Sequence, residues 1–207
     1  MTFTIQPRWK SLGVGLSAIA LSVVIPLGQP TAKASAIAQV PKAELQSLQS
    51  GQVVLTGQSG RYTGRFLVNA SLQTAWNVLT DYNRYKDFLP DTPSSKVLQR
   101  NGDQTLFEQT NVVKVLVFTR TSRVVIAATA QYPSQITFRL VEGDSIKSLN
   151  GSWRLDPVGP NQVLVTQQVM VEPEEHIPYN TFTRLYKSSM SKTLMALKKE
   201  TERRSKP

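Results

Sequence analysis

The stretch Ala75-Trp76-Asn77-Val78-Leu79-Thr80-Asp81-Tyr82-Asn83-Arg84-Tyr85-Lys86-Asp87-Phe88-Leu89-Pro90 decides the reading of this chain. Leu72, Ala75, Trp76 and Leu79 recur at spacings of three and four, which puts them on one face of a helix. Asn69-Ala70-Ser71 supplies cap chemistry just ahead of it. A second short helix is predicted over Asn83 to Phe88. Leu89-Pro90 stops it, because the residue before a proline is pushed out of the helical region.

Working outward, Val53-Val54-Leu55-Thr56 and Tyr62 to Val68 are β-branched and aromatic runs around Gly57, Gly60 and Gly64, predicting a first strand or hairpin. From Ser95 onward the pattern changes to strand-like runs. These are Lys96 to Gln99, Thr105 to Val117, Phe118 to Ala130, Gln135 to Val141, Lys147 to Leu155 and Gln162 to Val171. Turn signals such as Asn101-Gly102, Glu142-Gly143-Asp144 and Pro157-Val158-Gly159-Pro160 separate them, which predicts a meandering antiparallel sheet. Phe182, Leu185, Tyr186, Met190, Leu194 and Leu197 then form an amphipathic stripe, opposite Arg184, Lys187 and Lys198. Pro178 suits the first turn of that helix.

The order is a strand, two short helices, about six more strands and one long helix. That is an α+β fold: a curved antiparallel sheet of about seven strands with a long C-terminal helix on one face. A helix held against a concave sheet leaves a space at the mouth, the natural place for an apolar ligand.

Composition narrows the chemistry. The chain has 207 residues, 40% of them hydrophobic, enough for one packed domain. It has no cysteine and one histidine, His176. Thiol nucleophiles, disulfides, zinc fingers and iron–sulfur clusters are thereby excluded, as is any site that needs two histidines. No metal and no cofactor is expected.

The net charge is +10, but its distribution matters more. Residues 178–207 hold eight basic side chains and two acids. This is a basic tail on an ordinary domain. Lys198, Lys199, Arg203, Arg204 and Lys206 either hold the domain to an anionic membrane or form a solvated helix end that favours cations. No nucleic-acid partner is expected, since the charge lies at one terminus without interleaved aromatic residues. A monomer is expected.

At the N-terminus, Arg8 and Lys10 precede an uncharged apolar stretch broken by Gly13, Gly15 and Pro26, shorter than a membrane span of about 20 residues. Ala32-Lys33-Ala34 and Ala36-Ile37-Ala38 offer small-residue cleavage sites. Residues 1–38 read as a secretory signal peptide, which predicts a periplasmic or otherwise extracytoplasmic protein. An uncleaved membrane anchor is the alternative. Residues 39–52 read as a linker or weak helix, 53–203 as the domain and 204–207 as a tail.

The opening stretch, with Tyr85, Phe88-Leu89-Pro90 and Ser95-Lys96-Val97, resembles the start of START-like (SRPBCC) polyketide cyclase/dehydrase domains, a group that includes the coenzyme Q-binding protein family. Gly151-Ser152-Trp153-Arg154-Leu155, followed by Pro157, is similar to the later G-x-W-x-L strand, and Val171-Glu172-Pro173 with the basic last helix to the C-terminal half. The resemblance covers residues 61–203. It implies the helix-grip fold and a hydrophobic cavity. It carries no single function, because the fold hosts lipid carriers, aromatase/cyclases and quinone-binding proteins.

Candidate cavity residues follow. Trp153 shares a strand face with Leu149, Gly151 and Leu155 and is the preferred ligand contact. Phe138, Tyr179, Phe182 and Tyr186 are the other aromatic candidates. Glu108, Arg123, Arg139 and Gln168 lie in otherwise apolar strands. Pointing inward, they would need partners and could orient a polar head group; pointing outward, they would be ordinary solvent-facing partners. Arg123 and Glu108 lead this set. Trp76, Leu79 and Tyr82 read as core, Asp81 as a local cap and His176 as an exposed loop imidazole. The expected function is binding or carriage of a hydrophobic small molecule: a lipid, quinone, isoprenoid or pigment. The alternatives are a cyclase/dehydrase-type enzyme using Arg123, Glu108 or Tyr186, and an interaction domain with a filled interior.

Overall fold

A computed structural model describes residues 36–115 and 118–206. Residues 1–35, which carry most of the export reading, lie outside the described residues. Helix α1 (Lys42–Gln49) leads into a hairpin of β1 (Val54–Gln58) and β2 (Arg61–Val68). Helix α2 (Leu72–Leu79), a single 3-10 turn (Tyr82–Arg84) and α3 (Tyr85–Phe88) follow. Six strands then meander: β3 (Ser94–Asn101), β4 (Gln104–Val115), β5 (Phe118–Gln131), β6 (Gln135–Gly143), β7 (Ile146–Gly159) and β8 (Gln162–Pro173). Helix α4 (Tyr179–Arg204) ends the fold.

The eight strands make one antiparallel sheet in the order β1-β2-β8-β7-β6-β5-β4-β3. The segment expected as a first strand or hairpin is a hairpin, which raises about seven strands to eight. After β2 the chain leaves the sheet through α2 and α3, re-enters at the far edge as β3, and meanders back until β8 pairs with β2. Ser71 caps α2, its hydroxyl accepting from the Thr74 amide at 3.0 Å. Ala75, Trp76, Val78 and Leu79 then turn into the core.

One face of the sheet is concave and covered by α4. Leu194 and Leu197 of that helix are fully buried against Tyr62, Phe66, Val68, Val163, Val165 and Val169. Gly64 of β2 sets the distance: a Cβ there would lie 2.4 Å from Leu194 Cδ1, so only glycine lets the helix approach this closely.

The convex face carries a smaller core. Ala36, Val40 and Leu48 pack on Leu67, Val158 and Leu164. Glu44 of α1 pairs with Arg65 of β2 at 2.7 Å. Residues 42–49, expected as a linker or weak helix, are thus a helix docked on the back of the sheet. Among the described residues, no helix is long and apolar enough to cross a membrane.

Candidate functional site

Between the concave face and the first half of α4 lies a cavity of about 820 Å³, within the roughly 300–1,000 Å³ range of small-molecule sites. Its floor is Val124, Ile126 and Ala128 of β5, Ile136 and Phe138 of β6, Leu149 and Trp153 of β7, and Gln167 of β8. Alternation along each strand brings these residues to one face. Gly151 shapes the floor, because a Cβ there would collide with the Phe138 ring; the missing side chain lets that ring lie close against β7.

The roof is Thr181, Phe182, Leu185, Tyr186 and Ser189 of α4. An aromatic ladder fastens it. Tyr186 stacks on Tyr62 of β2 with centroids 6.0 Å apart and on Phe182 at 5.7 Å. The Tyr62 hydroxyl donates to the Thr183 carbonyl at 3.3 Å. Burial pushes the Tyr186 phenol far above its ordinary value, so it stays neutral.

The end wall comes from the quoted stretch. Tyr82 stacks on Phe107 of β4 at 4.3 Å with the rings 9° from parallel. Tyr85 meets the same ring edge-on, and its hydroxyl donates to the Leu79 carbonyl at 2.6 Å. Burial pushes the Tyr82 phenol up to about 12. The charged lining residues lie toward solvent: Arg120, Asp144, Lys192 and His176 are exposed and Asp91 half-buried. Lys192 of α4 pairs with Asp91 at 3.0 Å across this mouth.

Of the residues expected from sequence, Trp153, Phe138, Phe182 and Tyr186 meet in the cavity. Three do not. Glu108 and Arg123 lie on the convex face, because Phe107 and Gln109 of β4 and Ser122 and Val124 of β5 take the inward positions and alternation sends their neighbours out. There Arg123 donates to Glu108 at 2.6 Å and to Glu142 at 2.7 Å, while Lys96 adds a longer pair to Glu108. The Arg123 guanidinium holds the Glu108 carboxyl below the usual carboxylate range. This is a solvent-facing ion cluster. Tyr179 precedes the inward turn of α4; it lies over the Gly60 turn, beside Arg61 and Glu174, outside the cavity. Arg139 and Gln168 are exposed. His176 is exposed in its loop, as read, although it borders the mouth.

Several polar residues of the wall are absent from the sequence candidates, and two of them, Tyr82 and Gln167, carry a buried polar atom without a hydrogen-bond partner among the described residues. Tyr82 reads equally well as core. Gln167 had a signal: Val163, Val165, Val169 and Val171 set a period of two that puts position 167, not 168, inside. Among the described residues no group of three or more His, Asp or Glu side chains converges as a metal site.

The basic end of α4 is tied into the fold. Glu200, 7% exposed, accepts from Arg203 and Arg204, and these hydrogen bonds, led by Arg203, hold its carboxyl down at about 2. Arg204 also reaches Asp81 at 2.8 Å and lies over the Phe88 ring. Asp81, expected as a local cap, is therefore a long-range tether between the α2–α3 segment and the last helix. Lys198 donates to the Leu67 carbonyl at 2.8 Å.

A family model described as polyketide cyclase / dehydrase and lipid transport matches residues 68–198. No curated protein matches the sequence. Among solved structures, the Zhui aromatase/cyclase from a Streptomyces species aligns with a TM-score of 0.63 at 15% identity, covering 70% of this chain and 95% of that one. A START superfamily protein from Mycobacterium smegmatis gives 0.60 at 20% identity, covering 69% and 97%. The STAR-related lipid transfer protein from Xanthomonas axonopodis gives 0.56 at 21% identity, covering 72% and 92%. At these identities the likeness is one of fold. The family match runs from the end of β2 through the sheet and into the roof helix, taking in both walls of the cavity. The chain belongs to the polyketide cyclase / dehydrase and lipid transport family, with the START-like fold.

Proposed function

We propose that the domain is a non-enzymatic carrier that takes up a hydrophobic small molecule in the cavity beneath α4. The observation that carries this reading is the cavity itself: about 820 Å³, floored by aliphatic residues, Phe138 and Trp153, and roofed by Phe182 and Tyr186. Burying about 400 Å² of apolar ligand surface is worth about 10 kcal/mol at ~25 cal/mol per Å². That offsets an association cost of roughly 4–15 kcal/mol in its lower half, so binding needs no covalent chemistry. The cyclase/dehydrase-type reading is weakened because two of its three acid/base residues, Glu108 and Arg123, pair with each other on the opposite face of the sheet. A partly buried, neutral Tyr186 stacked between two rings is suited to packing against a ligand.

The opening in this reading lies where the loop before α4 faces the β6–β7 turn, with His176, Ile177 and Pro178 on one side and Asp144 to Ile146 on the other. Export belongs to the same proposal and rests on the basic start, apolar stretch and small-residue sites of residues 1–38. Contact with an anionic membrane would fall to Lys199 and Lys206, exposed and without an ion pair among the described residues. At about 1 kcal/mol per lysine, such contact is brief.

The test is native mass spectrometry of protein purified from its own host, with organic extraction and sequencing of the mature N-terminus. The reading predicts a co-purifying apolar compound and a terminus near Gln39 in an extracytoplasmic fraction. Protein that is repeatedly free of such a compound and takes up neither lipids nor quinones in a fluorescence displacement assay would contradict the carrier. An intact Met1 terminus in the cytoplasm would contradict export.

A further inference from the structure

The floor of the cavity is apolar apart from Gln167, so a buried polar atom there stands out. Gln167 is 9% exposed and Tyr82 5% exposed, and both line the cavity. The Gln167 Oε1 and the Tyr82 hydroxyl have no hydrogen-bond partner among the described residues. Most buried polar groups in folded proteins are paired, and one left unpaired costs stability. Gln167 finds no partner for its Oε1 within its sheet row. In register it lies between Gly64 of β2, which has no side chain, and Trp153 of β7, whose indole N–H does not bond to that Oε1. A valine or leucine would fill the position, as valine does at 163, 165, 169 and 171, without that cost.

We propose, resting on the carrier reading above, that Gln167 is a specificity-determining residue that selects apolar ligands bearing a neutral hydroxyl group and draws that group to the inner wall. A carboxamide offers an acceptor and donors side by side, and a hydroxyl is the smallest group that uses both. The Tyr82 hydroxyl, on the end wall four strands away, is a second neutral polar point. The charged lining residues Arg120, Asp144 and Lys192 lie at the solvent end, so a carboxylate or phosphate drawn to Gln167 would be buried without a counter-charge, which is costly. The ligand class is therefore a neutral alcohol or phenol on an apolar skeleton. A ligand with only acceptors, such as an oxidised quinone, would leave Oε1 unpaired.

The test compares farnesol, farnesal and farnesene, which share a skeleton and carry a hydroxyl, a carbonyl or neither. Each displaces Nile red from the purified protein. Farnesol is expected to bind roughly tenfold more tightly than farnesene, with farnesal between them. Gln167→Leu should bring farnesol and farnesene to within about twofold while farnesene still binds, because only the polar contact is removed. In ligand-free protein the same change should leave the melting temperature unchanged or raised. Gln167→Met, unbranched and of similar length, is the second variant. Wild-type protein that binds all three equally, or a folded variant with an unchanged farnesol-to-farnesene ratio, would overturn the proposal. Failure of all three to bind would instead remove the carrier reading, and this inference with it.

Discussion

From Met190 to Arg204, α4 is held by the core: Leu194 and Leu197 are buried on the sheet, Glu200 is bracketed by two arginines, and Arg204 is tethered to Asp81. From Thr181 to Ser189 the same helix roofs most of the cavity, which also touches Met190, Lys192, Thr193 and Leu197. Within that roof Phe182, Leu185 and Tyr186 are only partly buried. One end has close apolar contact and ion pairs, the other an aromatic ladder to β2 and two long hydrogen bonds, from Tyr62 to the Thr183 carbonyl and from Lys187 to the Gly57 carbonyl. The difference shows how a continuous helix can be both anchor and cover: local opening costs least where few buried contacts must break. A carrier needs this asymmetry, because a roof fixed at both ends would not let a ligand pass.

The contrast can be attacked from the anchored end first. Leu194→Ala removes a fully buried side chain over Gly64 and should destabilise the domain by about 3 kcal/mol, measured by urea unfolding. A much smaller loss would mean that the anchor is elsewhere.

Glu200→Gln should cost about 2 kcal/mol at neutral pH, because a charge-assisted contact to both arginines is lost. The folded-state pKa of Glu200 is depressed, so its contribution is present above the ordinary glutamate value of 4.5 and is lost as pH falls toward about 2. The wild-type and Glu200→Gln stability curves should therefore converge over that window. Curves that stayed parallel would remove Glu200 from the anchor.

At the cover end, Phe182→Ala should cost only about 1 kcal/mol of stability, since the ring is half-buried. Ligand retention should fall by roughly tenfold, read as the off-rate of Nile red. The opposite ranking would make Phe182 a core residue. The smallest effect is expected outside both regions. Arg123→Ala breaks the convex ion cluster and should leave Nile red affinity unchanged; a clear loss would link the two faces of the sheet.

Much of this was legible in the sequence. Turn residues between β-branched runs gave the meander, and the spacing of Leu194 and Leu197 gave the buried stripe of α4. Trp153, Phe138, Phe182 and Tyr186 could be placed because large aromatic side chains on concave positions have few alternatives. Arg123 and Glu108 could not, because apolar residues occupy both faces of β5 around Arg123, and a strand that is apolar on both sides hides its parity. The valine alternation in β8 did define a face, and it singles out Gln167. The Asp81–Arg204 tether joins residues 123 positions apart, and no local pattern encodes it.

Amide hydrogen exchange along α4, with and without saturating farnesol, tests the central claim most directly. Without ligand, residues 180–189 should exchange much faster than 190–204. Ligand should slow the first segment and the cavity strands β5 to β7 most, and leave residues 198–204 unchanged. Equal protection of both halves without ligand, or farnesol protection confined to the convex face, would contradict the account.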